Sequence, residues 1–232
     1  MQFNSEANNQ DLISQINFYC ATSNTDYSVN DKTRNINNAY HEAAQIIQGA
    51  DGTWEWDDTN NTTLPFGTTN LVSGQRDYGI DDAMLEIERV ECKDANGNWK
   101  VLTPISEQEI KEPYNTFEST SGTPLYYDKV GSSLFLFPGT NYNSTDGLRV
   151  QFKRGANVFA VTDTTKSPGF NIRFHDFLCL SAAIAYCMLY KQERVQVLLG
   201  MKDRMADEMR MFYGRRQKDE RKGMRPLITN TK

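Results

Sequence analysis

Apolar residues recur at helical spacing near both ends of the chain, and short alternating segments occupy the middle. Near the start, this pattern predicts a helix from the cap residue Asp11 to about Ala21. A second helix is predicted from about Asn30 or Asp31 to Gln48, with Gly49 closing it. The two predicted buried faces consist of Leu12, Ile13, Ile16, Tyr19 and Cys20, and of Ile36, Ala39, Tyr40, Ala43, Ile46 and Ile47. Two helices joined by a short link form a helical hairpin.

The segment from residue 171 to residue 190 is apolar on nearly every side of a helical projection. That pattern is typical of a helix buried on all sides. Roughly fourteen residues of this segment lack charge, fewer than the ~20 that cross a bilayer. We therefore interpret it as a core helix rather than a membrane span.

The next segment, from about Arg194, predicts a helix with an apolar stripe and a charged opposite side. The stripe consists of Val195, Leu198, Leu199, Met201, Met205, Met209 and Phe212. It can pack against the preceding helix, or it can form an adaptable binding surface, because unbranched methionine side chains fit irregular partners. Beyond Gly214 the stripe gives way to a basic tail. That tail is either a solvated helix end or a segment that a partner orders.

The middle of the chain has the composition of short strands and turns. The predicted strands include 84–93, 99–102, 125–130, 133–137 and 148–152. Asn96 and Gly97 predict a tight turn between the first two of these, and Gly131 with Ser132 predicts a second hairpin. Ser106 followed three residues later by Glu109 has capping-box spacing and predicts a short helix or turn.

The order of elements predicts an α+β fold: a helical bundle formed by the N- and C-terminal helices, an inserted antiparallel β domain and an extended C-terminal tail. The predicted boundaries are 1–50 for the N-terminal hairpin, 51–167 for the β domain, 168–213 for the C-terminal helices and 214–232 for the tail.

The formal net charge of −5 conceals an asymmetry along the chain. Residues 191–225 have a net charge of +5, and residues 1–190 have a net charge of −11. Because nucleic-acid affinity comes largely from Lys and Arg that replace counterions on phosphates, the acidic body argues against a surface that grips DNA. It is compatible with a surface past which DNA slides. The polar, acidic first ten residues predict no secretory signal.

No group of residues has the spacing of a catalytic or metal site. The cysteines are Cys20, Cys92, Cys179 and Cys187, without CxxC spacing, and they predict buried, reduced thiols. His41 and His175 have no nucleophile motif beside them in the sequence. The acidic, Trp-containing run 54–58 could place carboxylates between aromatic rings for catalysis or sugar binding, or it could be a strand edge that packs on the helices. A local run cannot show the set separation that two catalytic carboxylates need. We therefore predict no catalytic residue, no metal and no cofactor.

Several segments in one order carry a resemblance to a known family. They are the stretch from Asn70 to Ile80, Glu88-Arg89-Val90, Trp99, Leu102 to Ile105, and Phe174 to Leu178 leading into an Ala-rich helix. Together they resemble the head–tail connector or adaptor proteins of tailed bacteriophages, from about residue 9 to residue 222. The likeness rests on a pattern of segments rather than on an invariant motif.

The resemblance implies a structural, non-enzymatic head-completion protein in the neck of the virion, assembled in the host cytoplasm. It implies a ring of about twelve copies that joins the portal protein to a downstream tail or nozzle protein. DNA would pass through the lumen without sequence-specific binding, and no membrane would take part. The C-terminal extension would climb along the portal, with contacts from Phe212, Arg215, Arg216, Arg221, Arg225, Pro226, Leu227 and Ile228.

A second function class remains open at this point. The chain could be a non-enzymatic β-rich binding module on a helical base, with a carbohydrate or another surface ligand held by Trp54, Trp56, Tyr126 and Tyr127. Glycan binding by a protein that forms no rings would favour this class.

Overall fold

The computed structural model describes residues 1–5, 9–50, 60–61, 63–81, 84–105 and 121–215, apart from the side chain of Leu85. Contacts divide the chain into two units. The helical unit lies within Met1–Trp54 and Val158–Lys232, and the β unit lies within Glu55–Asn157. The α+β class predicted from the sequence is confirmed.

The predicted N-terminal hairpin consists of α1 (Leu12–Cys20) and α2 (Val29–Ala50). Asp11 caps α1 as predicted, because its carboxylate accepts a hydrogen bond from the Ser14 amide at 2.8 Å. The prediction that Gly49 closes α2 is wrong. Gly49 does not adopt the left-handed φ that ends a helix, and α2 continues through it to Ala50.

A buried lysine stabilises the link between α1 and α2. Lys32 is fully buried, and its ammonium donates to the side-chain oxygens of Asn17 at 2.5 Å and Asn24 at 2.6 Å. Burial lowers the pKa of Lys32 to about 8. The link also supplies the cap of α2, since the Ser28 hydroxyl accepts from the Asp31 amide at 3.1 Å.

The helix α3 (Asp176–Tyr190) follows a short 3₁₀ turn (Ile172–Phe174) and forms the centre of the helical unit. It packs against α1 and α2 and against α4 (Gln192–Gly214). Within the described residues, Ile172–Tyr190 is the one stretch apolar and long enough to cross a membrane, but 56% of that window is buried inside the protein. It is therefore the predicted core helix.

The last turn of α3 departs from the prediction of burial on all sides. Met188, Leu189 and Tyr190 are exposed by 51%, 73% and 70%. The neighbouring helices reach only the first three turns, since the buried positions of α3 end at Cys187.

The inward face of α4 is confirmed in part. Its buried residues are Leu198, Ala206, Met209 and Tyr213, flanked by the partly buried Val195, Leu199, Lys202 and Met205. Met201 and Phe212, which were predicted to lie on the inward stripe, are exposed. The contact instead follows a seven-residue period through positions 195, 202 and 209, and Met201 and Phe212 lie beside it.

Over its described residues, the β unit contains two four-stranded sheets and a short strand pair. The strands are β1 (Phe66–Leu71), β2 (Asp77–Gly79), β3 (Met84–Lys93), β4 (Trp99–Val101), β5 (Thr103–Pro104), β6 (Ser121–Gly122), β7 (Tyr126–Val130), β8 (Ser133–Phe137), β9 (Gly139–Thr140) and β10 (Ser144–Arg154). The sheet orders are β1-β10-β3-β4 and β2-β8-β7-β5, and β6 pairs with β9. Pairing is antiparallel except in β5–β7 and β6–β9.

Both predicted hairpins are confirmed, β3–β4 and β7–β8, and Gly97 and Gly131 adopt the positive φ values of 84° and 61° in their turns. A register shift in the β3–β10 pairing explains why the apolar positions of β3 change phase near Arg89. The β core consists of Leu71, Tyr78, Val90, Cys92, Leu102, Leu134, Leu136, Leu148 and Val150. Predicted features at Ser106 and Glu109 lie outside the described residues.

One glycine of α4 has no visible role inside the chain. A Cβ added at Gly200 would meet no atom within 4 Å. Glycine in a helix interior costs about 1 kcal/mol relative to alanine. We expect Gly200→Ala to raise the free energy of unfolding by about 1 kcal/mol, measured by urea denaturation at low protein concentration. The control Gln196→Ala, also exposed on α4, should change it by a few tenths at most. Equal effects of the two substitutions would contradict the explanation.

Candidate interaction surfaces

Both ring nitrogens of His175 make contacts inside the helical unit. His175 is buried; its Nδ1 lies 2.8 Å from the Met1 ammonium and its Nε2 lies 2.8 Å from the Phe170 carbonyl oxygen. The ammonium donates to Nδ1, so Nε2 carries the proton and donates to the carbonyl. Burial lowers the pKa of His175 to about 4, and the Met1 charge acts in the same direction. The imidazole is therefore neutral and fully engaged at neutral pH.

The neighbouring Asp176 is hydrogen bonded through one of its two carboxylate oxygens, and the other oxygen is buried without a hydrogen-bond partner among the described residues. The Tyr19 hydroxyl donates to the Asp176 carboxylate at 2.6 Å, which joins α1 to the start of α3. Burial raises the pKa of Asp176, against the effect of that hydrogen bond. His41, the second histidine of the chain, is exposed on α2.

The cysteines are free and buried, as predicted. Cys20 of α1 and Cys187 of α3 approach each other to 4.0 Å between their sulfur atoms, which sequence spacing could not indicate. Burial raises the pKa of Cys20 to about 12, and the neighbouring Cys187 adds to the effect. The described residues contain no group of three or more His, Cys, Asp or Glu side chains arranged to hold a metal ion.

Two of the residues predicted to contact the portal lie at the end of α4. Phe212 is 40% exposed, and one edge of its ring packs on Phe174 with a centroid distance of 5.4 Å. Arg215 follows as the exposed C-cap. The remaining predicted contacts, Arg216, Arg221, Arg225, Pro226, Leu227 and Ile228, lie outside the described residues.

The helical unit carries an exposed apolar groove between α1 and α4, which the sequence pattern did not predict. Its lining is Phe18, Tyr19, Ala21, Glu193, Arg194, Val197, Leu198 and Met201. Phe18 and Val197 are exposed by 74% and 67%. Both residues lie outside the predicted buried faces of their helices. The apolar period therefore marked them as outward-facing but did not show that they line one groove. Large exposed apolar patches mark interaction sites in soluble proteins.

The β unit carries a second candidate interaction surface, centred on Arg149. Its guanidinium lies 4.3 Å from the ring centroid of Trp99 and 5.3 Å from that of Phe66, and it donates to Glu91. Burial alone would raise the pKa of Glu91, but hydrogen bonds from Arg149 and Arg89 outweigh it and hold this pKa below its usual value. The ion pairs fix the cluster, and its exposed parts are Arg89 and the rings of Phe66 and Trp99.

The aromatic residues proposed for glycan binding do not form one platform in the described chain. Tyr126 and Tyr127 are neighbours on β7, so their side chains point to opposite faces of the sheet. Tyr127 packs against the β core, and burial raises its pKa, whereas Tyr126 is exposed. Trp54 and Trp56 lie outside the described residues.

Comparison with known families supplies what geometry alone does not. The family model described as SU10 adaptor protein matches residues 8–229, which include both structural units and most of the basic tail. No curated protein matches the chain. The matched span includes well over half of the chain, and the family agrees with the resemblance drawn from the sequence. The chain therefore belongs to the SU10 adaptor protein family, and it is a structural adaptor of the phage virion that contacts other head and tail proteins.

Proposed function

We propose that this adaptor forms a ring of about twelve copies between the portal protein and a downstream tail or nozzle protein, in the neck of the virion. The observation that carries the proposal is the family match over residues 8–229, because it includes the bundle, the β unit and the tail together. Assembly takes place in the host cytoplasm, and DNA passes through the lumen of the ring.

The basic tail is the portal-binding segment in this proposal. Phe212 and Arg215 stand where α4 ends, and the tail that follows contains Arg216, Arg221, Arg225 and the apolar run Pro226–Ile228. The arginines pair with portal carboxylates, and Leu227 and Ile228 are apolar anchors. Each copy contributes a small contact, and the ring multiplies it into a collective affinity that one copy lacks.

The acidic body is compatible with a channel for DNA. Residues 1–190 carry a net charge of −11, and a wall of this sign repels the phosphate backbone. DNA then moves past the protein without being held. A ring whose channel is lined mainly by Lys and Arg would contradict this part of the proposal.

The proposal is tested by native mass spectrometry of the adaptor alone and mixed with the portal protein of the same phage. We expect a small species alone and about a dozen adaptor copies on each portal ring. An adaptor that does not bind the portal at any mixing ratio of the two proteins would overturn the proposal. Glycan-array binding by the same protein preparation would then favour the β-module alternative.

A further inference from the structure

The outer face of α4 has a second regular stripe, distinct from the one that packs on α2 and α3. Its positions are 197, 201, 204, 208, 211 and 215, alternating steps of four and three residues. This is the spacing of a helix–helix seam. The residues are Val197, Met201, Arg204, Glu208, Met211 and Arg215, and all except the partly covered Glu208 are exposed. The stripe is about 27 Å long, so it can accommodate a partner helix.

The spacing of the stripe is symmetric about residue 206, although its ends differ, with Val197 at one end and Arg215 at the other. In an antiparallel pair of α4 helices with this centre, Met201 of one copy faces Met211 of the other, and Arg204 faces Glu208. Each contact occurs twice because the pair has two-fold symmetry. The arrangement places methionine against methionine and opposite charges against each other. The face is therefore complementary to a second copy of itself.

Gly200 lies at the edge of the same exposed face and is compatible with close packing there. No atom of its own chain lies where a Cβ would stand, so packing within the chain does not explain the glycine. In the antiparallel register, Gly200 lies on one flank of the seam, and Phe212 of the second copy lies at the same level on the other flank. A residue without a side chain at this flank lets the two helices approach closely.

We propose that the free adaptor forms a two-fold symmetric homodimer through the outer faces of two antiparallel α4 helices. The occupant of this face is a second copy of the chain, since the charge pattern of the stripe complements itself. The seam is short and contains four charges near its centre, so the dimer dissociates on dilution. This inference does not depend on the proposed portal function.

The symmetry of this pairing separates it from the ring. An isologous contact closes with two copies, whereas a ring needs a heterologous contact that repeats around an axis. The dimer is therefore a form of the protein before it joins the portal. Phe212 and Arg215 belong both to the seam and to the proposed portal contact, so pairing and portal binding compete for them.

The test is a charge exchange in the full-length protein, followed by sedimentation velocity over a range of concentrations. Arg204→Glu places two carboxylates opposite each other in both symmetric contacts, and Glu208→Arg places two guanidinium groups there. We expect each variant alone to weaken the dimer by about tenfold or more. An equimolar mixture of the two variants should form a heterodimer as stable as the wild-type dimer, because the mixture restores both opposite-charge contacts.

Arg210→Glu is the matched control. Arg204 and Arg210 are both exposed arginines of α4 that pair with a carboxylate one turn away in their own chain, Arg204 with Glu208 at 3.0 Å and Arg210 with Asp207 at 2.7 Å. Arg210, however, lies off the stripe. It should leave dimerisation unchanged, and circular dichroism should show equal helix content in all variants. A wild-type protein that stays monomeric at every concentration, as it would if the face served another phage protein, overturns the proposal. A dimer that Arg204→Glu does not weaken, or variants that fail to pair when mixed, would overturn it as well.

Discussion

Removal of residues 216–232 is expected to abolish binding of the adaptor to the portal while leaving the helical bundle folded. The cut follows Arg215, the C-cap of α4, so the helix and its buried Tyr213 are retained. The Tyr213 hydroxyl accepts a hydrogen bond from the Asn171 amide at 3.0 Å, which joins the end of α4 to the start of the core-helix segment. A cut before Tyr213 would damage the bundle and confuse the result.

The expected loss is large because the contacts of the tail are multiplied around the ring. The removed segment contains six basic and two acidic residues and the only apolar run beyond α4. Linked contacts raise affinity by roughly 10²–10⁴ over a single one. Cosedimentation with the portal should therefore fall by at least about a hundredfold in apparent affinity. Thermal unfolding of the truncated protein should match that of the full chain.

A scrambled tail of the same composition separates sequence from charge. If Leu227 and Ile228 are anchors that fit defined pockets, scrambling should weaken binding nearly as much as deletion. Scrambled and native tails that bind equally would show that charge alone holds the adaptor to the portal, and the anchor assignment would be wrong. Full binding by the truncated protein would rule out the tail as the portal contact.

The helices could be predicted because their buried faces repeat at a fixed period and their caps are local. Asp11 bonds an amide three residues away, so the sequence contains the whole interaction. Gly49 misled the prediction because glycine permits the left-handed ending of a helix without requiring it. Ser28, followed three residues later by Asp31, was the signal for the true start of α2.

The exposed surfaces were harder to predict because periodicity indicates which side of a helix is apolar, not where the neighbouring helix ends. The composition of α3 gave no sign that its last turn, with Leu189 and Tyr190, projects beyond its neighbours. On α4, a methionine suits either side, so Met201 was assigned to the core although it lies on the outer stripe. Contacts between distant segments, such as Cys20 with Cys187, required the fold itself.

Acidification from pH 7 to pH 4 is expected to destabilise the helical unit through His175. Burial and the Met1 ammonium lower the pKa of this imidazole to about 4, whereas an exposed histidine titrates near 6.5. Between these two pKa values, the histidine binds a proton in the unfolded chain and does not bind one in the folded protein. The stabilisation is therefore complete above about pH 6.5, and up to about 3 kcal/mol is lost as the pH falls to 4.

Two measurements isolate this contribution from the titration of the acidic body. The free energy of unfolding of His175→Gln should fall by about 3 kcal/mol less than that of the wild type between pH 7 and pH 4. His41→Gln, which changes the exposed histidine, should keep the wild-type pH dependence. Because the chain has two histidines, proton NMR can follow each ring in the wild type. The ring protons of His175 should keep the chemical shift of a neutral imidazole until about pH 4. Protonation of His175 near pH 6.5 in the folded protein would mean that the imidazole is not buried in solution, and the expected pH dependence would be absent.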